Sequence, residues 1–326
     1  MKCIRLMALI LMAFIFCLTL GTGAGDALPN PPAAGYIATY NQPGYNFEQT
    51  ATRGWHLSKI MAHEAWQITA GESDILVAIL DTGIDQNHPD LEGKVVSNIN
   101  FTSSPTADDL NGHGTHIAGI IAASTYDANH SRGIAYNCSL MNVKVADDNG
   151  WCNSDAVARG IVWAIDNGAK VINISLTITK PSSALEKAVN YAWSKGTVIV
   201  AAAGNDYSSS PRYPAAYTNV IAVAATQQDD KLPSWSNRGD WISLSSPGVD
   251  IYSTLPDNQH GYQSGTSTAT AIVSGEAALL FTVVTDDNDN GYLNDEIRHR
   301  IETNCDWPNL EELETGRINV LKALTR

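Results

Sequence analysis

Ile75-Leu76-Val77-Ala78-Ile79-Leu80, closed by Asp81-Thr82-Gly83, is the stretch from which the fold can be read. An apolar run without alternation makes a strand buried on both faces, the kind that parallel sheets carry between layers of helix. Its carboxylate falls at the carboxyl end of the strand, where open α/β sheets keep their sites; an Asp before Gly is equally ordinary turn chemistry. Outward from this stretch, strand and helix patterns alternate. Residues 139–145, 170–176, 197–203, 220–225 and 241–244 read as strands, and 155–167, 182–195 and 294–303 as helices. The alternation predicts a single α/β domain, a mainly parallel sheet with helices on both faces.

Lys2 and Arg5 precede an apolar run over 6–20, and Thr22, Gly23, Ala24 and Gly25 follow it. That is the charge–apolar–small order of a secretory signal, assigned to residues 1–27 with cleavage after Ala24 or Ala27. The run falls short of the ~20 residues a membrane span needs, so cleavage is expected rather than anchoring. Residues 28–49 are rich in Pro, Gly, Asn and Tyr and predict an extended arm over the surface, making 28–56 an arm and 57–326 the main domain. Within the latter, 57–68 has a helical apolar pattern with Ser58 as a cap. The chain has 326 residues and a formal net charge of −14, which argues against nucleic acid as a partner. Of five cysteines, Cys3 and Cys17 leave with the signal. Cys138, Cys152 and Cys305 remain, an odd number with no pairing assignable.

Three further stretches carry candidate chemistry. Gly265-Thr266-Ser267-Thr268-Ala269-Thr270 delivers a serine onto a long apolar run, 269–284, that reads as a buried helix. Ser267 is there either an N-cap or a nucleophile whose own N–H faces a developing oxyanion. Asn111-Gly112-His113-Gly114-Thr115-His116 opens another helix. His113 and His116 are spaced as zinc ligands would be, but no third ligand or glutamate base accompanies them. Ala203-Gly204-Asn205-Asp206 ends a strand, and Asn205 is a turn residue or an amide donor. Together they contain what acyl transfer needs. His113 would serve as general base to Ser267, Asp81 would orient its imidazole, and Asn205 with the Ser267 N–H would bind the oxyanion.

With these residues in view the sequence resembles the subtilases, the subtilisin-like serine proteases, and within them the thermitase-like branch. The resemblance rests on Asp81-Thr82-Gly83-Ile84-Asp85, His88-Pro89-Asp90-Leu91, His113-Gly114-Thr115-His116-Ile117-Ala118-Gly119, Ala201-Ala202-Ala203-Gly204-Asn205 and Ser264-Gly265-Thr266-Ser267. The Asp–His–Ser order and the oxyanion asparagine are the family's own pattern. It implies a subtilisin-like sheet of about seven strands. It also implies Asp81, His113 and Ser267 as triad, Asn205 as oxyanion donor, and substrate strands at Gly150-Trp151 and Ser175-Leu176-Thr177, with Ala202 and Gly204 beside them. Trp151 would cover a bound apolar side chain or pack on the protein itself.

Calcium (Ca2+) is implied as a structural ion, on Asp90 with a later loop: Ala128, Asn129, Arg132 and Ile134, mainly through carbonyls. Asp286-Asp287-Asn288-Asp289-Asn290-Gly291 matches the start of an EF-hand loop. It makes Asp286, Asn288 and Asn290 a second candidate set, although Ile297 stands where that loop has its glutamate. Three departures matter. Thr268 and Ala271 replace the family's Met and Pro beside the nucleophile, which removes an oxidation-sensitive thioether and frees the helix start. Thr177 and Ile178 replace substrate-strand glycines, which predicts a narrowed primary pocket favouring small or medium side chains. No inhibitory propeptide is visible between the leader and residue 57, so the expectation is either that folding is unassisted or that the true start of the chain lies elsewhere. The expectation is a secreted, monomeric serine endopeptidase acting on proteins or peptides. The rivals are a catalytically weak peptide-binding relative and an esterase, the latter lacking a Gly-x-Ser-x-Gly elbow.

Overall fold

The structure is a computed structural model that describes residues 34–37, 53–125, 132–308 and 315–326, all within the unit Pro32–Arg326. The predicted signal lies outside the described residues. In chain order the elements are β1 (Ala34–Ile37), α1 (Trp55–Lys59), α2 (Ala62–Ala65), β2 (Leu76–Asp81), β3 (Val95–Asn100), α3 (His113–Ala122), β4 (Ser139–Lys144), β5 (Trp151–Asn153), α4 (Ser154–Asp166), β6 (Val171–Ile174), β7 (Leu176–Ile178), α5 (Ser183–Ser194), β8 (Val198–Ala202), β9 (Ile221–Thr226), β10 (Leu244–Pro247), β11 (Ile251–Leu255), β12 (Gln259–Gln263), α6 (Thr266–Leu280), α7 (Asn294–Thr303) and α8 (Val320–Thr325).

The central sheet has seven strands in the order β10-β9-β8-β6-β2-β4-β3, every pair parallel. The apolar run of β2 is therefore central, paired with β4 on one side and β6 on the other, which is why it needs no polar face. From β2 the chain goes out to β3, returns through β4, and crosses to β6 on the far side. This reversal opens a crevice at the carboxyl ends of β2 and β6. One face is covered by α3 and α6, with Ile117, Ile121, Ile272 and Val273 in its core. The other is covered by α4 and α5, with Val157, Ile161, Leu185 and Val189. Asn153 caps α4 through Asp155 and Ala156 N–H, and Ser182 caps α5 through Leu185 N–H.

Several expectations are corrected. Residues 57–68 do not form one helix capped by Ser58. Gly54 begins α1, and Met61, at a left-handed φ of 61°, separates it from α2. Residues 170–176 are not one strand: β6 stops at Ile174, and Leu176 enters a second, three-stranded sheet of order β5-β1-β7. The strand expected at 241–244 begins at Leu244 instead, beside β9. The arm is not only a surface strap. Ala34–Ile37 is the middle strand of that small sheet, antiparallel to both neighbours, and Gly35 is buried. No helix among the described residues is long and apolar enough to cross a membrane.

Candidate active site

Asp81 ends β2 and His113 begins α3, so a strand terminus and a helix terminus must meet. Gly114 allows it: a Cβ there would lie 2.0 Å from Gly83 O and 3.2 Å from Asp81 Cβ. His113 Nδ1 then donates to Asp81 Oδ1 at 2.6 Å, with both side chains buried, and Thr82 N–H donates to the same oxygen at 2.8 Å. The proton on Nδ1 leaves Nε2 as the basic nitrogen, and Nε2 has no partner.

Asp109, which the sequence reading missed, fixes the approach to α3. Its Oδ1 accepts from Thr82 Oγ1, Asn111 N and Gly112 N, and its Oδ2 from Thr115 N and Oγ1. A carboxylate at a helix start also meets the positive end of the helix dipole. Lys144, equally unforeseen, is fully buried. Its ammonium donates to Thr82 O, to Asp108 O at 2.9 Å and to Asp148 Oδ1 at 2.7 Å, tying the loop after Asp81 to β4. Asp ahead of Asn-Gly-His, read as a helix start, was the available signal for the first; nothing local marks the second.

Ser267 lies in the first turn of α6, one turn earlier than the expected run at 269–284. The N-cap is Gly265, with no side-chain cap bond, so Ser267 is not a capping residue. Its Oγ donates to Ser175 O at 3.1 Å, while Ser175 Oγ donates to Ser267 O at 3.1 Å. Asn205 Oδ1 accepts from Thr266 N and Thr266 Oγ1, both at 2.9 Å. Holding the amide by its oxygen turns its nitrogen, the donor end, away from Thr266. Gly204 N donates to the same Thr266 hydroxyl at 3.0 Å, which joins the end of β8 to the start of α6.

The predicted substrate strands flank this centre. Gly150 closes a turn at φ 81°, Trp151 and Cys152 lie in β5, and Leu176 and Thr177 in β7. Trp151 is 61% exposed, which overturns the reading in which it packs on the protein. Between the two strands runs β1, with Tyr36 opposite both Trp151 and Thr177. A Cβ on Gly204 would stand 3.4 Å from Thr177 Cγ2, so the wall expected to narrow the pocket is close. Ala202, the last residue of β8, is buried. Cys152 is a buried free thiol whose pKa burial and Asp81 push up to about 12, so it is not a nucleophile.

His113 and His116 are not paired on a metal. His116 Nε2 bonds Gly261 O at 3.2 Å, and burial lowers its pKa to about 3, so it is neutral. A different group, His88, Asp90 and His260, gathers three ligand-type atoms within 4.8 Å of one another. His88 is committed there to the backbone: Nδ1 accepts from Asp90 N, and Nε2 donates to Gln259 O. His260 Nε2 donates to Asp90 Oδ2 at 2.7 Å. Of the expected calcium loop, Ile134 O accepts from Trp66 Nε1 at 2.9 Å and the Arg132 guanidinium stacks on Tyr136. Ala128 and Asn129 lie outside the described residues. In the second loop Asp286 accepts from Asn290 N and Gly291 N, and Asn288 and Asn290 side chains both reach Asp295.

The fold and this crevice define the class: the protein is a serine endopeptidase. Residues 72–318 match the model of the subtilase family, and the chain belongs to that family. A thermophilic serine proteinase of Bacillus sp. (strain AK1) is 42% identical over 92% of this chain and 75% of its own length. Thermitase of Thermoactinomyces vulgaris is 43% identical over 84% of this chain and 96% of its own. Subtilisin Savinase of Lederbergia lenta is 41% identical over 69% and 83%. The first two support placing the chain in the thermitase-like branch.

Proposed function

We propose that this protein is a secreted endopeptidase that cleaves protein substrates through an acyl-enzyme on Ser267. His113 Nε2 takes the Ser267 proton as Oγ attacks the scissile carbonyl, and Asp81 holds the imidazole in the required tautomer and stabilises its charged form. The oxyanion is met by Asn205 Nδ2 and the Ser267 N–H at the start of α6. His113 then returns the proton to the leaving amine, and water repeats the sequence on the acyl-enzyme. The observation that carries this reading is the buried 2.6 Å bond from His113 Nδ1 to Asp81, with Nε2 unpartnered on the opposite side of the ring. Ser267 Oγ is bonded to Ser175 O, so attack requires that this bond be given up first. Substrate lies between Gly150-Trp151 and Ser175-Leu176-Thr177, against Ala202 and Gly204, and Thr177 restricts the pocket to small or medium side chains.

Calcium fits as a stabilising ion on oxygen ligands. At the first position Asp90 and Ile134 O supply hard oxygens, and the family's pattern would add carbonyls from Ala128, Asn129 and Arg132. At the second, the Asp295 and Glu296 carboxyl groups are hydrogen-bonded to each other and to the Asn288 and Asn290 amides, in the loop that Asp286 braces. Glu296 is held above its usual carboxylate range by burial, by its hydrogen bond with Asp295 and, less, by the Asp295 charge, and a cation would relieve the last. The charge–apolar–small order of residues 1–27 supports secretion.

The deciding experiment is casein hydrolysis by the chain lacking residues 1–27, beside Ser267→Ala, with circular dichroism confirming that both fold. Digestion lost in the variant supports the reading. A folded wild-type chain that neither digests casein nor reacts with a fluorophosphonate at Ser267 would overturn it. Running both in calcium and in chelator tests the ion: melting at the same temperature in each would remove it.

A further inference from the structure

A strand held between two others sends successive side chains to opposite faces, and where that side is blocked only glycine fits. Gly35 stands at such a place, opposite Cys152 on β5 and Ile178 on β7. A Cβ there would come within 2.6 Å of Ile178 Cγ1, 2.6 Å of Thr177 O and 2.8 Å of Cys152 Sγ. The carbonyl belongs to the paired backbone and cannot swing away, and with β1 in place both side chains are buried.

The track has a fixed register to the nucleophile. Gly35, Tyr36 and Ile37 face Ile178, Thr177 and Leu176. A peptide held in the same antiparallel register would bring its next residue opposite Ser175. Ser175 O is the atom that Ser267 Oγ touches at 3.1 Å. A peptide lying in this track thus offers Ser267 the carbonyl of the residue opposite Ser175. The place held by Gly35 is the fourth residue before the bond to be cut.

We propose that Cys152, Ile178 and the Thr177 carbonyl make this enzyme select glycine at the fourth residue before the scissile bond. The selection rests on the Ser267 mechanism above and adds a requirement separate from the pocket for the residue next to the bond. Cys152 acts here by its volume, not by its chemistry. Its Sγ faces the Gly35 amide, and its thiol stays protonated. The segment Ala34-Gly35-Tyr36-Ile37 in the cleft obeys the same rule.

The test uses quenched fluorescent peptides containing Ala-Gly-Tyr-Ile-Ala-Thr, with the glycine kept or replaced by Ala or Leu, and mass spectrometry to locate the bond cut. The enzyme is the chain lacking residues 1–27. The expected result is cleavage between the last Ala and Thr, with kcat/KM falling about tenfold for Ala and about a hundredfold for Leu. In Cys152→Gly/Ile178→Gly the Gly-to-Leu ratio should shrink by at least about tenfold. A ratio taken within one enzyme is insensitive to general loss of activity. Leu cleaved within about twofold of Gly, cleavage in another register, or an unchanged ratio in the double variant would each overturn the proposal. Casein in the same preparation separates the failures. Digestion without glycine selectivity sinks the selection alone, and no digestion by a folded enzyme sinks the mechanism beneath it.

Discussion

Asp81 and Glu276 are both carboxylic acids shut away from water, and their surroundings differ in every respect. Asp81 sits where a strand ends and a helix begins, facing the donors Thr82 N–H and His113 Nδ1. Glu276 sits in the interior of α6, a helix buried along its whole length, with neither oxygen partnered. Burial pushes the Glu276 pKa up to about 8, so at neutral pH it is held as the uncharged acid. What distinguishes them is the supply of donors. Element termini present backbone N–H groups and polar side chains that sustain a charge, and the middle of a buried helix presents none.

The comparison breaks most sharply at Asp81, through the mechanism proposed above. Asp81→Asn keeps the shape and removes the charge. We expect kcat to fall about 10⁴-fold, the loss typical of serine-protease triads, with folding unchanged; a loss below about tenfold would remove Asp81 from the mechanism. Asp109→Ala leaves three N–H groups and two hydroxyls around the α3 start without their acceptor. It should lower kcat by about a hundredfold with little change in KM, since it displaces His113 without touching substrate. An equal loss confined to KM would place Asp109 in binding instead.

Glu276→Gln tests the other side. The native acid keeps its proton up to about pH 8, while the unfolded one releases it near its ordinary value of 4.5. The unfolded state therefore gains stability as pH rises between these values, and the wild type loses stability across that window by up to about 1.4 kcal/mol per pH unit. Gln does not titrate, so the variant's advantage should grow from pH 5 to pH 8 and then level. Thermal unfolding in a Ser267→Ala background, which prevents self-digestion, measures it. A pH-independent difference would mean that Glu276 is already ionised in the fold. The smallest expected effect concerns β1. Deleting residues 28–39 clears the space between β5 and β7 and should raise kcat/KM on short peptides by a few-fold. An unchanged value would mean that the segment leaves the cleft freely.

Much of this was legible in the chain. The apolar run of β2 told its neighbours on both sides, because a strand without alternation must be covered twice. That Asp81, His113, Asn205 and Ser267 stand at or beside element ends was readable, because a junction between a periodic segment and a turn is where sequence signals are strongest. The strand at Leu244–Pro247 was misplaced, because Trp241 and Ile242 are apolar for packing rather than for pairing. The break at Met61 lay hidden inside a helical period that continued across it.

Taken alone, then, the sequence determined the alternating α/β layers, the order of the reactive groups and the family, since these depend on local period and on residue types at element ends. The tertiary structure alone decided that Asp109 and Lys144 brace the site, that Glu276 has no partner, and that Gly35 lies between Cys152 and Ile178. Those facts depend on which distant segments meet, and hydrogen-bond satisfaction and steric exclusion exist only once the chain has closed on itself.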